Sequence, residues 1–198
     1  MRLVLASASP RRAELLRAAG YEFEVVPADV DESVRAGETP SVYVRRLAAD
    51  KSAATMRMLH QRPDAVVLGA DTTVVVDGEI LAKPRDDGEA AAMLRRLSGR
   101  RHDVLTGVSL RSGAYEVGRV ETTGVWFAPL DDAAIAWYVA SGEGRDKAGA
   151  YAIQGLASRF IPRLDGSYTN VVGLPIPCVR ELLTEISGTP RDPASARR

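Results

Sequence analysis

The sequence predicts a mixed α/β fold in which helices flank one sheet. Apolar runs of strand length alternate along the chain with amphipathic runs of helix length, which is typical of α/β domains. Two pairs of strands are joined by short turns that contain glycine, which indicates that part of the sheet is antiparallel. We find no internal repeat in the 198 residues, a length that allows one large domain or two closely joined lobes.

The first half of the chain begins with a strand, a helix and a second strand. Ser9 and Pro10 start the helix, because serine is a good N-cap residue and proline is favoured at the first helical position. A loop and a longer helix lead to a nearly continuous apolar strand, which we predict to be central and to end at Asp71. Asp77-Gly78 then predicts a hairpin turn. The predicted strands are residues 2–6, 21–26, 65–70, 72–76 and 79–82, and the predicted helices are residues 10–19 and 39–60.

The second half continues the alternation of strands and helices. A hairpin around Ser112-Gly113 joins two long strands, and a segment rich in glycine and alanine is predicted to contain a short strand. The predicted helices are residues 87–97, 130–140 and 175–187, and the predicted β structure covers residues 103–111, 115–127, part of 147–155, and 160–173. Residues 188–198 are rich in Pro, Ala, Ser and Arg, which predicts a disordered tail.

Composition favours a cytoplasmic protein and leaves a small anionic ligand open. The 26 acidic and 26 basic residues give zero net charge, whereas nucleic-acid-binding proteins usually carry a basic excess, so we expect no nucleic-acid partner. The apolar runs are too short to span a bilayer, and the N-terminus becomes polar too soon for a signal peptide, so we expect no membrane association. Cys178 is the only cysteine, which excludes an intrachain disulfide and a cysteine-based metal site.

The distribution of lysine is unusual. Of the 26 basic residues only Lys51, Lys83 and Lys147 are lysines. If arginine has replaced lysine wherever either would serve, these three mark positions that need a compact ammonium. Lys51 also falls on the apolar stripe of its helix, one turn beyond Leu47. The alternative is that a GC-rich genome has left three lysines by chance. We assign Lys147 to loop positioning.

A candidate phosphate-binding loop joins the first strand to the first helix. Ser7, Ser9, Arg11 and Arg12 gather there with the unpaired N–H groups and the positive end of the helix dipole, a combination that suits a phosphate. The alternative is an ordinary N-cap with solvated arginines. No Gly-x-x-x-x-Gly-Lys motif is present, so the loop is not of the Walker type.

Three further positions carry possible chemistry. Asp71, followed by Thr72, is predicted at the carboxyl end of a strand, where an acid can hold Mg²⁺ or activate water; the alternative is a turn or capping aspartate. Lys83 precedes a proline that fixes the backbone. Gln154 follows a stretch of small residues and offers a donor and an acceptor that can read a base edge, or can bond the backbone of a tight loop instead.

Two other reaction types are disfavoured. His60 and His102 are the only histidines and lack metal-ligand spacing, which argues against a zinc site. A Ser-His-Asp hydrolase would need one of them, and no Gly-x-Ser-x-Gly motif is present. We expect His102 to be structural or at the rim of the site.

Taken together, the motifs resemble the Maf family of nucleotide pyrophosphatases, from Leu3 to about Leu183. The blocks that carry the resemblance are residues 5–12, Leu47-Ala48 with Lys51, and residues 69–72, 81–84, 146–151, 153–155, 166–168 and 172–175. The resemblance implies an elongated, twisted mixed sheet with flanking helices, in two lobes around a central cleft, as in Maf and ITP pyrophosphatases. It places residues 1–187 in one catalytic domain.

The resemblance also implies the chemistry. It implies a homodimer, a divalent metal (Mg²⁺ or Mn²⁺), and cleavage of a nucleoside triphosphate between the α- and β-phosphates. By position, Asp71 becomes the proton acceptor and a metal ligand, and Glu32 becomes a metal ligand or second acid. The implied phosphate contacts are Ser7, Arg11, Lys51 and Lys83.

The resemblance extends to one branch of the family. Arg12, Thr72 and Gln154 match the branch that acts on dTTP and UTP, whereas the branch that prefers 7-methyl-GTP differs at these positions. Two alternatives stay open: a pyrophosphatase for other non-canonical nucleotides such as 7-methyl-GTP, and a non-catalytic nucleotide-binding regulator of cell division.

Overall fold

The computed structural model describes residues 1–60 and 62–188, which form a seven-stranded mixed sheet flanked by helices. The strands are β1 Arg2–Leu5, β2 Phe23–Val25, β3 Ala65–Val76, β4 Glu79–Leu81, β5 Arg101–Ser112, β6 Tyr115–Trp126 and β7 Arg163–Asp165. The helices are α1 Pro10–Ala18, α2 Pro40–Met58, α3 Asp87–Leu97, α4 Asp132–Ala140, α5 Tyr168–Val172 and α6 Ile176–Gly188. The predicted α/β fold is confirmed. Of the predicted disordered tail, Gly188 ends α6 and residues 189–198 lie outside the described residues.

The sheet has an opening along one edge of β3. The strand order is β2-β1-β3-β5-β6-β7, with β4 beside β3; β1 runs parallel to β2 and β3, and the other pairs are antiparallel. One edge of β3 pairs with β5 from Val67 to Val75. The other edge pairs with β1 as far as Leu68 and with β4 from Val74 onward. Within the described chain, residues 69–73 therefore have no strand beside them on that edge.

The apolar core of the described residues contains two large clusters, one at each end of the long strands, and a smaller third cluster of Val4, Ala6, Leu59, Ala65 and Val67. The first includes Leu5, Leu16, Leu68, Leu110 and Leu182, and the second includes Val74, Leu94, Val104, Phe127 and Tyr138. The strands β3 and β5 contribute to both clusters. This arrangement gives two lobes that share one sheet, as predicted. No helix in residues 1–60 and 62–188 is long and apolar enough to cross a membrane.

The helix α2 lies directly on β3 and β5 because two strand positions are glycine. A Cβ atom on Gly107 would lie 2.1 Å from the carbonyl oxygen of Val44, and one on Gly69 would lie 2.2 Å from that of Ala48. Val44 and Ala48 are one helical turn apart on the buried face of α2. The same buried face continues to Lys51, so the two glycines set the distance between that lysine and the sheet.

The prediction that Asp71 ends a strand was wrong. Residues 65–70 and 72–76 belong to one continuous strand, β3, and Asp71 lies in its middle, paired with Gly107 of β5. The strand that does end here is β1, whose last residue, Leu5, is opposite Leu68. The carboxylate therefore lies beyond the carboxyl end of β1, in the opening of the sheet.

The short strand predicted within residues 147–155 is also absent. This segment forms a 3-10 turn at Ala148–Ala150, where Gly149 has φ 68° and Ala150 has φ 59°, a left-handed conformation that a strand cannot include. In the following region, which we predicted as β structure, only Arg163–Asp165 is a strand, and Tyr168–Val172 is a short helix. Ser167 starts that helix by accepting a hydrogen bond from the Asn170 N–H.

The contact between α2 and the sheet makes Gly107 sensitive to substitution. Gly107→Ala places a methyl group within the backbone of α2, and we expect the free energy of unfolding to fall by about 3 kcal/mol, at the upper end of the range for overpacking. Gly113→Ala, in the β5–β6 turn, is the control: its Cβ would meet no atom within 4 Å, so only its φ of 59° opposes the change. Urea unfolding measures both variants, and equal losses in the two would contradict the close approach.

Candidate active site

A cavity of about 620 Å³ opens at the gap in the sheet. This volume lies within the usual range for small-molecule sites, about 300–1,000 Å³. The cavity is lined by segments from both lobes, including the loop after β1, the loop after β4 and the middle of β3. The structure brings together all ten predicted site residues: Ser7, Ser9, Arg11, Arg12, Glu32, Lys51, Asp71, Thr72, Lys83 and Gln154.

A buried lysine joins the two predicted acidic residues. Lys51 Nζ lies 2.7 Å from Asp71 Oδ1 and 2.6 Å from Glu32 Oε1. Lys51 and Asp71 are each 8% exposed, so the ammonium depends on these carboxylates to compensate its charge. Partial burial opposes ionisation of Glu32, but the hydrogen bond and charge of Lys51, with the charges of Lys83 and Arg12, outweigh it and lower the pKa of Glu32.

The loop that carries Glu32 is attached to α2 by side chains that the sequence analysis missed. The Tyr43 hydroxyl donates to the carbonyl oxygen of Glu32 at 2.9 Å. Arg46 donates to both carboxylate oxygens of Glu38, at 2.5 and 2.7 Å, and to the carbonyl oxygen of Ser33 at 3.0 Å. The Arg46 hydrogen bonds lower the pKa of Glu38 to about 2. The sequence could have indicated Tyr43, because positions 43, 47 and 51 lie on one face of the predicted helix.

The loop after β1 is shaped by Arg12. Ser7 Oγ accepts hydrogen bonds from the Ser9 N–H at 3.2 Å and from Arg12 Nη1 at 3.0 Å. Arg12 also donates through Nε to the Gly173 carbonyl at 2.8 Å and through Nη2 to Thr72 Oγ1 at 3.2 Å. Burial lowers the pKa of this guanidinium, and the negative charge of Asp71 partly offsets the effect. All three guanidinium nitrogens of Arg12 thus donate hydrogen bonds to residues that line the cavity.

Thr72 belongs to the same framework. Successive side chains of a strand point to opposite faces, so Thr72 lies on the face of β3 opposite Asp71. Its hydroxyl lies 2.9 Å from Thr106 Oγ1 and donates to the Gly173 carbonyl at 3.3 Å. Both faces of β3 reach the cavity because the sheet is open beside residues 69–73. Asp71 lies on the face of β3 that packs against α2. Thr72 lies on the opposite face and donates to the Gly173 carbonyl.

Three of the predicted residues have polar groups available at the cavity. The Arg11 guanidinium is 3.8 Å from Asp146, a loose ion pair. Lys83 is exposed and forms no hydrogen bond or ion pair within the described part of the chain. The Gln154 side chain is likewise exposed, without a hydrogen bond to any described residue. The N–H groups in the first turn of α1 add positive potential beside Arg11.

Lys147 is bound within its own loop. Its Nζ donates to the Glu143 carbonyl at 2.8 Å and to Asp146 Oδ1 at 2.5 Å. Nearby, the Gly149 N–H donates to the Ala82 carbonyl at 3.2 Å, which connects this loop to the one that carries Lys83. These contacts fit the loop-positioning role that we expected of Lys147.

His102 is a buried structural residue behind the cavity wall. It is 2% exposed, and its Nε2 shares a hydrogen bond of 2.7 Å with the hydroxyl of Tyr151, which lines the cavity. Its ring also packs edge-on against Phe127. Burial, reinforced by the charges of Arg101 and Arg100, lowers the pKa of His102 to about 4.

The sequence and the fold of the chain are similar to those of known proteins. The family model described as "Maf-like protein" matches residues 2–186. The chain is 48% identical to the dTTP/UTP pyrophosphatase of Syntrophus aciditrophicus (strain SB) over 187 residues, covering 93% of this chain and 90% of that relative. It is 52% identical to the dTTP/UTP pyrophosphatase of Symbiobacterium thermophilum over 183 residues, covering 92% and 93%. The solved Staphylococcus aureus Ham1 protein has a TM-score of 0.53 at 15% identity, covering 94% of this chain and 98% of that chain, a likeness of fold alone.

The lowered pKa of His102 predicts a stability change in mild acid. Between pH 6.5 and about 4 the unfolded chain binds a proton at this histidine that the folded chain does not, so stability is lost as the pH falls. We expect His102→Gln to reduce the drop in unfolding free energy between pH 7 and pH 4.5 by about 2 kcal/mol. His60→Gln, at the exposed histidine, should leave the drop unchanged. Urea unfolding at both pH values measures this, and equal drops in all three proteins would contradict the prediction.

Proposed function

The chain belongs to the Maf family, and from that premise we propose that it hydrolyses dTTP and UTP to the monophosphate and pyrophosphate. One observation carries the proposal: Asp71 faces the cavity through the opening in the sheet, and its carboxylate is bonded to Lys51. The relatives described above are named for dTTP and UTP, and they match about nine tenths of this chain. The proposal includes a homodimer in the cytoplasm.

In the proposed reaction Asp71 accepts a proton from the attacking water. A bond forms between the water oxygen and the α-phosphorus, and the bond from that phosphorus to the α,β-bridging oxygen breaks, so pyrophosphate leaves. Positive groups must take up the charge that develops on the leaving group. Arg11 and Lys83 are suited to this task because they line the cavity without tight partners. Lys51 orients Asp71 through their hydrogen bond.

A divalent metal fits the acidic pair. Glu32 and Asp71 are both within 2.7 Å of one cationic nitrogen, so their oxygens already converge on a single positive charge. No group of three or more His, Cys, Asp or Glu side chains in the described residues is arranged to hold a metal. Mg²⁺ is commonly bound by one or two carboxylates together with substrate phosphates. We therefore propose that Glu32 and Asp71 would hold Mg²⁺ or Mn²⁺ with the nucleotide, where it would neutralise phosphate charge.

Gln154 supports the choice of base. Its amide has a donor and an acceptor with no partner in the described chain, and it lines the same cavity as Asp71. Uracil and thymine share the O4–N3 edge, which needs one donor and one acceptor opposite it. Cytosine has the reverse donor pattern there, so a Gln154 amide that is held in the orientation that fits uracil would leave polar groups of cytosine without hydrogen bonds on burial. The proposed assignment therefore accepts UTP and dTTP and disfavours CTP.

Product analysis tests the proposed function. We expect the protein with Mg²⁺ to convert UTP and dTTP to UMP and dTMP with release of pyrophosphate, and to act on GTP and 7-methyl-GTP much more slowly. Chelation with EDTA should stop turnover. Phosphorus NMR identifies the products. Release of orthophosphate with a diphosphate would contradict the cleavage position, faster turnover of 7-methyl-GTP would contradict the base, and binding without turnover would favour a nucleotide-binding regulator.

Asp71→Asn tests the proton acceptor. The amide keeps the shape of the side chain but cannot accept the proton, so we expect kcat to fall by about 10²–10⁴-fold. Binding of UTP without a divalent metal, measured by calorimetry, serves as the control for an intact cavity. A kcat within a few fold of the unsubstituted enzyme would remove Asp71 from this role.

Lys51→Arg tests the need for a compact ammonium. The planar guanidinium is too large for the buried position between Asp71 and Glu32, and displacement of these carboxylates should lower kcat/KM by about 10–100-fold. Arg2→Lys is the matched exchange at a surface ion pair with Asp64 and should have no effect. Full activity of both Lys51→Arg and Lys83→Arg would attribute the scarcity of lysine to genome composition alone.

A further inference from the structure

Glu143 lies behind the cavity wall and holds the chain segment that carries Gln154. Its carboxylate accepts three hydrogen bonds: from the Tyr138 hydroxyl at 2.7 Å, from the Leu156 N–H at 2.7 Å and from the Ala157 N–H at 3.3 Å. Glu143 is not among the residues that line the cavity. Its contacts are therefore with the protein that supports the cavity wall.

Tyr138 extends this support to the other side of Gln154. Its side chain is 1% exposed, and its hydroxyl accepts a hydrogen bond from the Ala152 N–H at 3.2 Å while it donates to Glu143. Burial, together with the hydrogen bond to Glu143, raises the pKa of Tyr138, so the hydroxyl keeps its proton as a donor. The backbone is thus held two residues before Gln154 and two residues after it.

The glycine after Gln154 lets the backbone reach the carboxylate. A Cβ atom on Gly155 would lie 2.0 Å from Glu143 Oε2. The φ of Gly155 is −115°, outside the left-handed region, and a side chain at this position would displace the Glu143 carboxylate. The pair Gln154-Gly155 therefore combines one residue that faces the cavity with one that rests on Glu143.

We propose that Glu143 is the residue that positions Gln154 for recognition of the uracil and thymine base. This inference rests on the proposed function, since it assumes that Gln154 contacts the base. A carboxylate suits the position because it only accepts hydrogen bonds and here faces three donors. A glutamine in its place would turn an NH₂ group towards a peptide N–H or the Tyr138 hydroxyl, and the segment would lose its fixed position.

Steady-state kinetics of Glu143→Gln with UTP and CTP test the proposal. We expect KM for UTP to rise about 10-fold, with kcat at saturating UTP within about threefold of the unsubstituted enzyme, and the preference for UTP over CTP to fall about 10-fold, the equivalent of one lost hydrogen bond. Glu24→Gln, at an exposed carboxylate paired with Arg62, is the matched control and should change none of these values.

A second comparison shows whether Glu143 acts through Gln154. In a Gln154→Ala background, Glu143→Gln should leave the remaining UTP/CTP ratio unchanged within twofold. Hydrogen exchange of the Leu156 and Ala157 amides, without nucleotide, should become faster in Glu143→Gln and stay unchanged in Glu24→Gln. If Glu143→Gln fails to fold, Tyr138→Phe removes only the hydroxyl from the same network, and the same shift in UTP/CTP preference is expected.

Three results would overturn the inference: an unchanged UTP/CTP ratio in a folded Glu143→Gln, an equal loss of the ratio in the Gln154→Ala background, or a lower kcat with unchanged KM for both nucleotides. An unsubstituted enzyme that hydrolyses UTP and CTP equally would also overturn it. Failure of the proposed function is distinguishable, because the unsubstituted enzyme would then release no pyrophosphate from UTP in the same assay.

Discussion

The close approach of α2 to the sheet is the constraint on which the site depends. Because Gly69 and Gly107 lack side chains, the helix backbone lies directly against β3 and β5. This distance allows a lysine on the helix to reach a carboxylate in the middle of a strand, with Lys51 Nζ 2.7 Å from Asp71. A buried ammonium is tolerated there because Asp71 and Glu32 compensate it. The two glycines thus fix the position of Lys51 relative to Asp71, although neither lines the cavity.

The opening in the sheet lets both faces of β3 reach the cavity, and the two faces contribute different side chains. A neighbouring strand would cover the central residues of β3 on this edge. Instead, β3 is paired on this edge with β1 at one end and with β4 at the other. Side chains from both of its faces therefore reach one cavity. On the α2 face, Asp71 and Lys51 supply charge. On the opposite face, Thr72 and Arg12 hold the carbonyl of Gly173 and shape the loop at Ser7.

Local signals in the sequence predicted the elements well, and long-range contacts account for what it missed. The Asp77-Gly78 hairpin and the helix Asp87–Leu97 follow from turn and capping chemistry, and the inward position of Lys51 follows from helical period. The residues that the motifs singled out also line a single cavity. The continuity of β3 through Asp71 was missed, because pairing with β5, about 36 residues away, stabilises a polar residue in mid-strand. The support of Gln154 by Glu143 was missed for the same reason, since no local pattern predicts a contact across a folded loop.

The shared strands have a further consequence for how the lobes behave. Leu68 and Val74 place β3 in both apolar cores, and Leu110 and Val104 do the same for β5. Neither core can come apart without releasing strands that complete the other, so we expect the lobes to unfold in one cooperative transition. A hinge between them would have to bend the paired strands. Access to the cavity therefore depends on loops such as residues 27–38, which side-chain hydrogen bonds and an ion pair attach to α2.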